Sequence, residues 1–296
     1  MNQFWREIMR TRTNHLVIET GFQWANVGAA ITQDGVIMID CPVRPTDSHR
    51  WQQELKSLSP LGICYLISTD FHGDHSTGAA FVKGVTYIAP QLVYKEIGKL
   101  RDKSTFSKSI FVETLRDQGF SEEADEIDKA VVPLPKICFD DSLILHFPPL
   151  TFEIRRLGGH TPACSVVHIP EEKIVFAGDV VIEEKNPGMR DASLRQWVKA
   201  LEWIETLPVD RVVPGHGEVC GKDVVRRLRD YFQMIRGEME KLVKQGKDRD
   251  EAVASEVFAK LFWADTSRGA FWIKQRKDTF RMGLERAYDE VKGEIG

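Results

Sequence analysis

The chain has 296 residues, 42% hydrophobic and 28% charged, a balance expected of a soluble globular protein with one large domain or one domain carrying a helical appendage. Its net charge of −4 argues against a broad basic surface for nucleic acid, and no run reaches the roughly 18 apolar residues that a membrane span needs. Five cysteines (Cys41, Cys64, Cys138, Cys164, Cys220) form an odd set without Cys-x-x-Cys spacing and read as mostly buried thiols. With a polar start from Met1 to Thr13 that lacks a signal-peptide core, they point to a reducing, cytoplasmic setting.

In chain order, His15 to Glu19, Ala29 to Thr32 and Val36 to Asp40 read as strands, with Asp34-Gly35 as the hairpin signal between the last two. His15 reads as structural. Asp40, at a strand end, is placed to cap the next element or to support a neighbouring loop. Thr46 to Ser59 carries Trp51, Leu55 and Leu58 at helical spacing. Ile63 to Ile67 is a short bounded apolar run, hence a buried strand, followed by Ser68-Thr69-Asp70-Phe71-His72-Gly73-Asp74-His75. A helix is expected over Ala79 to Lys83, and a strand over Thr86 to Ala89 that Pro90 stops.

Residues 91–130 are charge-rich and helical in character, and Lys95 to Ser109 and Glu122 to Lys129 read as a solvated cover. Strands return at 143–145, 151–154, 165–169 and 174–177, with His146 and His168 as packing or edge residues. An amphipathic helix runs over Leu194 to Leu207, a last strand over Asp210 to Pro214, and helices follow Gly217 to the end. Phe262, Trp263, Phe271 and Trp272 make that tail aromatic, so it is a candidate for walling a pocket or forming a homodimer interface.

Asp70, His72, Asp74 and His75 are four metal-capable side chains within six positions, at a strand end where alternate residues can turn toward one point. Three further junctions repeat the arrangement: Gly159-His160-Thr161-Pro162, Gly178-Asp179 and Gly215-His216-Gly217, each following an apolar run. Any one alone is weak; the repetition carries the argument.

As an ordered set, from about Asn26 to Gly217, these motifs resemble those of the metallo-β-lactamase fold superfamily of metal-dependent hydrolases. The resemblance implies an α/β fold, a four-layer αββα sandwich over residues 1–219, with a C-terminal helical extension at 220–296. It implies two divalent ions, foremost zinc: the first held by His72 and His160 with Asp70, the second by Asp74, His75 and His216, with Asp179 bridging. It implies a small-molecule substrate and an acyl bond (ester, lactone, thioester or β-lactam) opened by metal-activated hydroxide, with weak β-lactamase activity within reach. Asp74 would orient the nucleophile and move its proton. Lys185, Asn186 and Arg190 fall where the resemblance places a substrate loop, although Asn186-Pro187-Gly188 is first a turn signal. Ser76, Thr77 and Thr161 are candidate hydrogen-bond donors behind the ligands. The tail is similar to that of glyoxalase II-type enzymes, without their substrate-binding residues.

The chain departs from the family at Asp70, which stands where a histidine is usual. An oxygen ligand still suits zinc and raises the prospect of iron or manganese there. It also brings the charge of a loaded centre from about +1 to about zero, which weakens its Lewis acidity. Two other classes follow from Asp70: an iron-dependent oxidoreductase of the same fold, similar to persulfide dioxygenases, and a scaffold or binding protein with a weakened metal site. A nuclease is disfavoured by the absence of a nucleic-acid-binding insertion and of a basic surface.

Overall fold

The computed structural model describes residues 10–100, 106–183, 187–262 and 269–295. Seven strands form the first sheet in simple chain order: β1 (Arg10–Arg12), β2 (Leu16–Glu19), β3 (Val27–Thr32), β4 (Gly35–Ile39), β5 (Ile63–Ile67), β6 (Thr86–Pro90) and β7 (Ile137–Phe139). β1 to β4 pair antiparallel and β4 to β7 pair parallel. The second sheet orders its five strands as β12-β11-β10-β9-β8, from β8 (Ser142–Phe147), β9 (Leu150–Arg156), β10 (Ser165–Ile169), β11 (Ile174–Ile182) and β12 (Arg211–His216).

Parallel neighbours need crossovers, which helices supply. α1 (Pro45–Lys56) links β4 to β5, and α2 (Gly73–Ser76) with a 3₁₀ turn at Thr77–Phe81 links β5 to β6. Between β6 and β7 lie α3 (Gln91–Leu100), α4 (Phe106–Asp117) and α5 (Ser121–Lys129), and α6 (Leu194–Thr206) joins β11 to β12. α7 (Lys222–Lys244), α8 (Arg249–Val253), α9 (Glu256–Leu261) and α10 (Gly269–Ile295) follow.

The period of two along each strand builds the layers. Leu16, Ile18, Ile37 and Ile39 of the first sheet meet Phe152, Ile154, Val167, Ile174 and Phe176 of the second in the central core. The alternate residues Val17, Val36 and Met38 face outward onto Trp51 and Leu55 of α1. Val166, Val175 and Ala177 likewise face Trp197 and Leu201 of α6 and Phe232 of α7. Around β4 and β11 both sheet faces are covered, which is why these strands are buried along their whole length. The outer face of β8 and β9, by contrast, is exposed at Ser142, Ile144, His146, Glu153 and Arg155. The result is the four-layer αββα sandwich with added C-terminal helices.

Several local expectations are revised. Residues 79–83 are not an α-helix; the chain there is a 3₁₀ turn ending at Phe81. Pro90 belongs to β6, and α3 starts immediately after it. The strand expected at 174–177 runs on to Ile182, with register shifts against β12 around Gly178. The 91–130 segment is more than a solvated cover: Phe111, Val112, Leu115, Ala124 and Ile127 close a small core of their own over Val43. His15 pairs with Glu172 at 2.9 Å and buried His168 with Glu153 at 2.8 Å, both structural roles. Trp263 lies outside the described residues. Among them no helix is long and apolar enough to cross a membrane.

Candidate metal centre

Four chain segments meet at one edge of the sandwich. The loop after β5 carries Asp70, His72, Asp74 and His75; the loop after β9 carries His160; β11 carries Asp179; β12 ends on His216. Their ligand-capable atoms fall into two groups, each with its atoms within 4.8 Å of one another. The first group is Asp70, His72 and His160, and the second is Asp74, His75, Asp179 and His216. All seven side chains singled out in the sequence are therefore brought together.

Local structure explains how the strand end becomes a ligand loop. Asp40 sits at the end of β4 with φ of 53°, a left-handed conformation that Asp tolerates better than most residues. From there its carboxylate accepts the backbone N–H of Thr69 at 2.9 Å, the Thr69 hydroxyl at 2.7 Å and His75 Nδ1 at 2.8 Å. Asp40 thus ties adjacent strand ends together and aims His75. Asp179 stands where β11 loses register with β12, and such an irregularity re-aims a side chain. Gly215 packs so close to Asp179 Oδ1 that a Cβ there would collide with it. Buried Asn26 donates to the carbonyls of Pro214 and Gly217, fixing the backbone on both sides of His216.

In the second group the donors are already committed elsewhere. His75 Nδ1 is taken up by Asp40, so Nε2 is the nitrogen turned toward Asp179 Oδ1, 3.2 Å away. Both atoms are buried and neither has a hydrogen-bond partner among the described residues. His216 Nε2 lies 3.3 Å from the same oxygen and 3.1 Å from Asp74 Oδ2. Orphaned buried acceptors facing one another are costly unless a cation or a proton sits between them. A set of two carboxylates and two imidazoles fits a divalent ion. Without an ion, burial would lower the pKa of His75 and His216, but the surrounding carboxylates, led by Asp179, outweigh it and hold both well above the usual range. Burial opposes ionisation of Asp179 and Asp74 too, yet the facing imidazoles keep both well below it.

The first group has the same logic on its histidines. His160 Nδ1 donates to the Gly188 carbonyl at 2.8 Å, and His72 Nε2 to Asp191 at 3.0 Å. A carbonyl can only accept, so His160 Nε2 keeps its lone pair, and it faces His72 Nδ1 at 2.9 Å. Asp179 Oδ2 is 3.2 Å from His160 Nε2, while its Oδ1 serves the second group, the geometry of a bridge. The Asp191 bond and nearby carboxylates raise the pKa of His72 against the effect of burial, and burial lowers that of His160.

Asp70 differs. It is fully buried, and its Oδ1 accepts from Phe71 N at 2.6 Å, His72 N at 3.3 Å and the Thr161 hydroxyl at 2.8 Å. Cys164 Sγ lies 2.6 Å from its Oδ2. Burial, then Asp70 and Asp179, push the Cys164 thiol well above its ordinary pKa, so it stays protonated and donates. Three donors crowd Oδ1 and one meets Oδ2, so the capacity Asp70 has left for an ion lies on Oδ2 alone.

Arg190 donates to Asp191 at 3.1 Å, next to the first group; Lys185 and Asn186 lie outside the described residues. Thr161 does stand behind a ligand position, whereas Ser76 Oγ caps the carbonyls of Phe71 and His72. Sequence reasoning missed Asp191, Gly188 and the Asp70 contact of Cys164. An acid and a carbonyl in an irregular loop carry no periodic signal, and Cys164 lies near His160 in a stretch where a small apolar residue would look the same.

A two-sheet sandwich with paired His/Asp groups at one edge defines the class of metal-site αββα proteins. A family model described as the metallo-beta-lactamase superfamily matches residues 15–216, and the chain belongs to that superfamily. A curated relative, "Beta-lactamase-like protein 2 homolog" from Caenorhabditis elegans, is 24% identical over 205 residues. That match covers 68% of this chain but 59% of the relative, so under two thirds of the relative's length is represented. Solved structures similar in fold include a metallo-beta-lactamase from Pontibacter korlensis (TM-score 0.60, 19% identity, 76% of this chain and 98% of that one). The DIM-1 metallo-beta-lactamase has TM-score 0.58 and 16% identity, covering 76% of this chain and 95% of its own.

Proposed function

We propose that this protein is a metal-dependent hydrolase that opens an acyl bond (ester, lactone, thioester or β-lactam) in a small molecule. The observation that carries the reading is the buried, unpartnered pair of His75 Nε2 and Asp179 Oδ1, 3.2 Å apart and backed by Asp40. Buried His168 also binds a carboxylate through Nδ1 and has an unpartnered Nε2. What sets His75 apart is that a second carboxylate oxygen, Asp179 Oδ1, itself unpartnered, lies 3.2 Å from its Nε2. The second-group residues Asp74, His75, Asp179 and His216 would hold one divalent ion, foremost zinc. His72 and His160, with Asp179 between the groups and Asp70 behind, would hold another. Bound ions would supply Lewis acidity and a water acidified toward a pKa of about 7.

The chain's own residues define the approach. The side chains of Asp74 and His216 are 20% and 22% exposed, those of Asp179 and His75 4% and 0%, so substrate enters from the Asp74 and His216 side. Asp74 is held ionised by His75 and His216 against burial, so its carboxylate is available to accept hydrogen bonds. Its carboxylate can orient the attacking water and pass the proton to the leaving group. Arg190, anchored on Asp191 beside the first group, suits a substrate carboxylate.

The donors on Asp70 favour a second reading, in which the first group binds its ion weakly or takes a harder one such as iron or manganese. One experiment separates them: elemental mass spectrometry on protein purified without added metal, with the same sample assayed on lactones, thioesters, aryl esters and a chromogenic β-lactam. About two zinc per chain with turnover is the expected result. About one iron per chain with an inert panel moves the protein to the oxidoreductase class.

A further inference from the structure

The segment 187–193 supplies both of the contacts that orient the first-group histidines. The Gly188 carbonyl accepts from His160 Nδ1, and Asp191 accepts from His72 Nε2. Between them Met189 is fully buried, and Ala192 is nearly so. A short irregular loop has few hydrogen bonds of its own with which to hold such positions. Its internal bond runs from Ala192 N to Met189 O, and Ser193 N reaches back to Gly159 O, beside His160.

The remaining fixation comes from the far end of the chain. Glu290 of α10 accepts from the Ser193 hydroxyl at 2.6 Å, from Leu194 N at 2.9 Å and from Arg195 N at 3.3 Å. These are orphan donors at the start of α6, where a carboxylate is favoured both as a hydrogen-bond acceptor and by the helix dipole. Arg286, one turn earlier on α10, donates to the Ala192 carbonyl at 2.7 Å. Another turn back, Gly283 faces Met189 so closely that any side chain there would drive into it. Leu284 and Ala287 share one apolar cluster with Met189, Ala192 and Trp197, and the Trp197 ring packs edge-on against His160 at 5.2 Å.

We propose that the C-terminal helix α10 is a working part of the first ligand group, clamping the 187–193 loop through Gly283, Arg286 and Glu290. Asp191 and Glu290 are then positioning residues: Asp191 aims the His72 ring directly, and Glu290 aims both rings through the loop, whose Ser193 it holds from 97 positions further along the chain. Among the described residues the second group has no such tie. His75 is aimed by Asp40, and the His216 backbone by Asn26, both from the N-terminal half. The coupling is therefore selective between the two groups. The consequence for metal affinity rests on the metal-centre reading above; the clamp itself does not.

The test uses the full chain with two conservative variants, Asp191→Asn and Glu290→Gln, and two readouts. In metal-free protein, histidine ring-nitrogen NMR signals are compared. Asp191→Asn shifts His72, and Glu290→Gln shifts His72 and His160, while His75 and His216 stay in place. In zinc titrations against a competing chelator, the weaker of two binding steps loses roughly 10–100-fold in affinity in Asp191→Asn and about tenfold in Glu290→Gln, and the tighter step stays within about twofold. His72 and His160 unmoved in Glu290→Gln, or all four histidines moved together, overturns the clamp. Ring signals that shift as stated in a protein that takes up no zinc leave the clamp standing and remove the metal reading instead.

Discussion

The two ligand groups share Asp179 but solve the burial of their other groups in opposite ways. In the second group, His75 Nε2 and Asp179 Oδ1 face each other across 3.2 Å with no partner, so the fold leaves a place for positive charge. In the first, Asp70 accepts from Phe71 N, His72 N, the Thr161 hydroxyl and the Cys164 thiol. One group is unsatisfied until something binds. The other is largely satisfied by the protein itself, its His72 and His160 rings hydrogen-bonded to each other at 2.9 Å. Asp70 is thus more than a ligand-capable side chain beside His72 and His160: it is the hub of a local hydrogen-bond network.

The largest effect expected from breaking this arrangement is at the residue common to both groups. Asp179→Ala removes the bridge, so ion content falls and turnover drops about a thousandfold, several kcal/mol at 1.36 per decade. His72→Ala lowers turnover in the same direction and spares the second group's ion. Elemental analysis and rates on the folded variants check both; full activity in either removes the dinuclear assignment.

Asp70 sharpens the comparison further, because its two possible roles predict different losses. As a network hub, Asp70→Ala strands the buried Thr161 and Cys164 donors and two backbone N–H groups, at a cost of about 3 kcal/mol in the stability of metal-free protein. Urea unfolding midpoints measure it. As a ligand alone, the same change would leave metal-free stability nearly unaltered and act only on ion uptake. Asp70→His restores the family's usual residue and is expected to tighten the first ion, yet to lower stability by removing the same acceptor.

How far this could be read from the sequence follows from the same residues. The His72, Asp74, His160, Asp179 and His216 positions were legible because each sits beside glycine after an apolar run, and His75 because it falls in the same short block, a signal that is local. The layers were legible because residues such as Leu16 and Ile18 alternate with Val17, and both sets proved to be covered. The satisfied state of Asp70 was not, because its partners Thr161 and Cys164 lie more than ninety positions away. Nor was the role of α10, whose Glu290 looks like any acid in a charged helix until the fold sets it against Ser193. The extension of β11 to Ile182 was hidden by Gly178-Asp179, which reads as a strand end but is an irregularity within a strand.

Proton linkage separates the loaded from the unloaded second group. The raised pKa values of His75 and His216 mean that metal-free protein holds protons there to a higher pH than a free imidazole does. An arriving ion must displace them, so affinity weakens as pH falls, by up to about tenfold per pH unit for each proton released. The stability of metal-free protein runs the other way. The histidine contribution is fully present below the ordinary value of 6.5 and is lost as pH rises through the raised values. Asp74 and Asp179 contribute above the ordinary 3.8 and lose their contribution as pH falls through their depressed values. Metal-free protein is therefore expected to be most stable in mildly acidic solution, where ion uptake is already weakening. Thermal melts with and without chelator across pH 5–9 would show slopes of opposite sign; parallel slopes would mean that the second group does not exchange protons for an ion.

The smallest effect tests the most unusual contact. Cys164 is buried, and its thiol lies 2.6 Å from Asp70 Oδ2, so it is a donor rather than a nucleophile as long as it stays protonated. Cys164→Ser keeps a donor of similar size, and a hydroxyl is a stronger one, so stability should hold within about 0.5 kcal/mol. Cys164→Ala removes the donor and the sulfur volume together and should cost about 1–2 kcal/mol. The informative quantity is the difference between the two variants, because loss of packing alone would penalise serine and alanine alike. Freed of the thiol, Asp70 Oδ2 in Cys164→Ala regains a lone pair that can turn toward His72 and His160, so the first ion should bind more tightly even as the fold weakens. Stability and affinity moving in opposite directions is the result that a purely structural cysteine would not give.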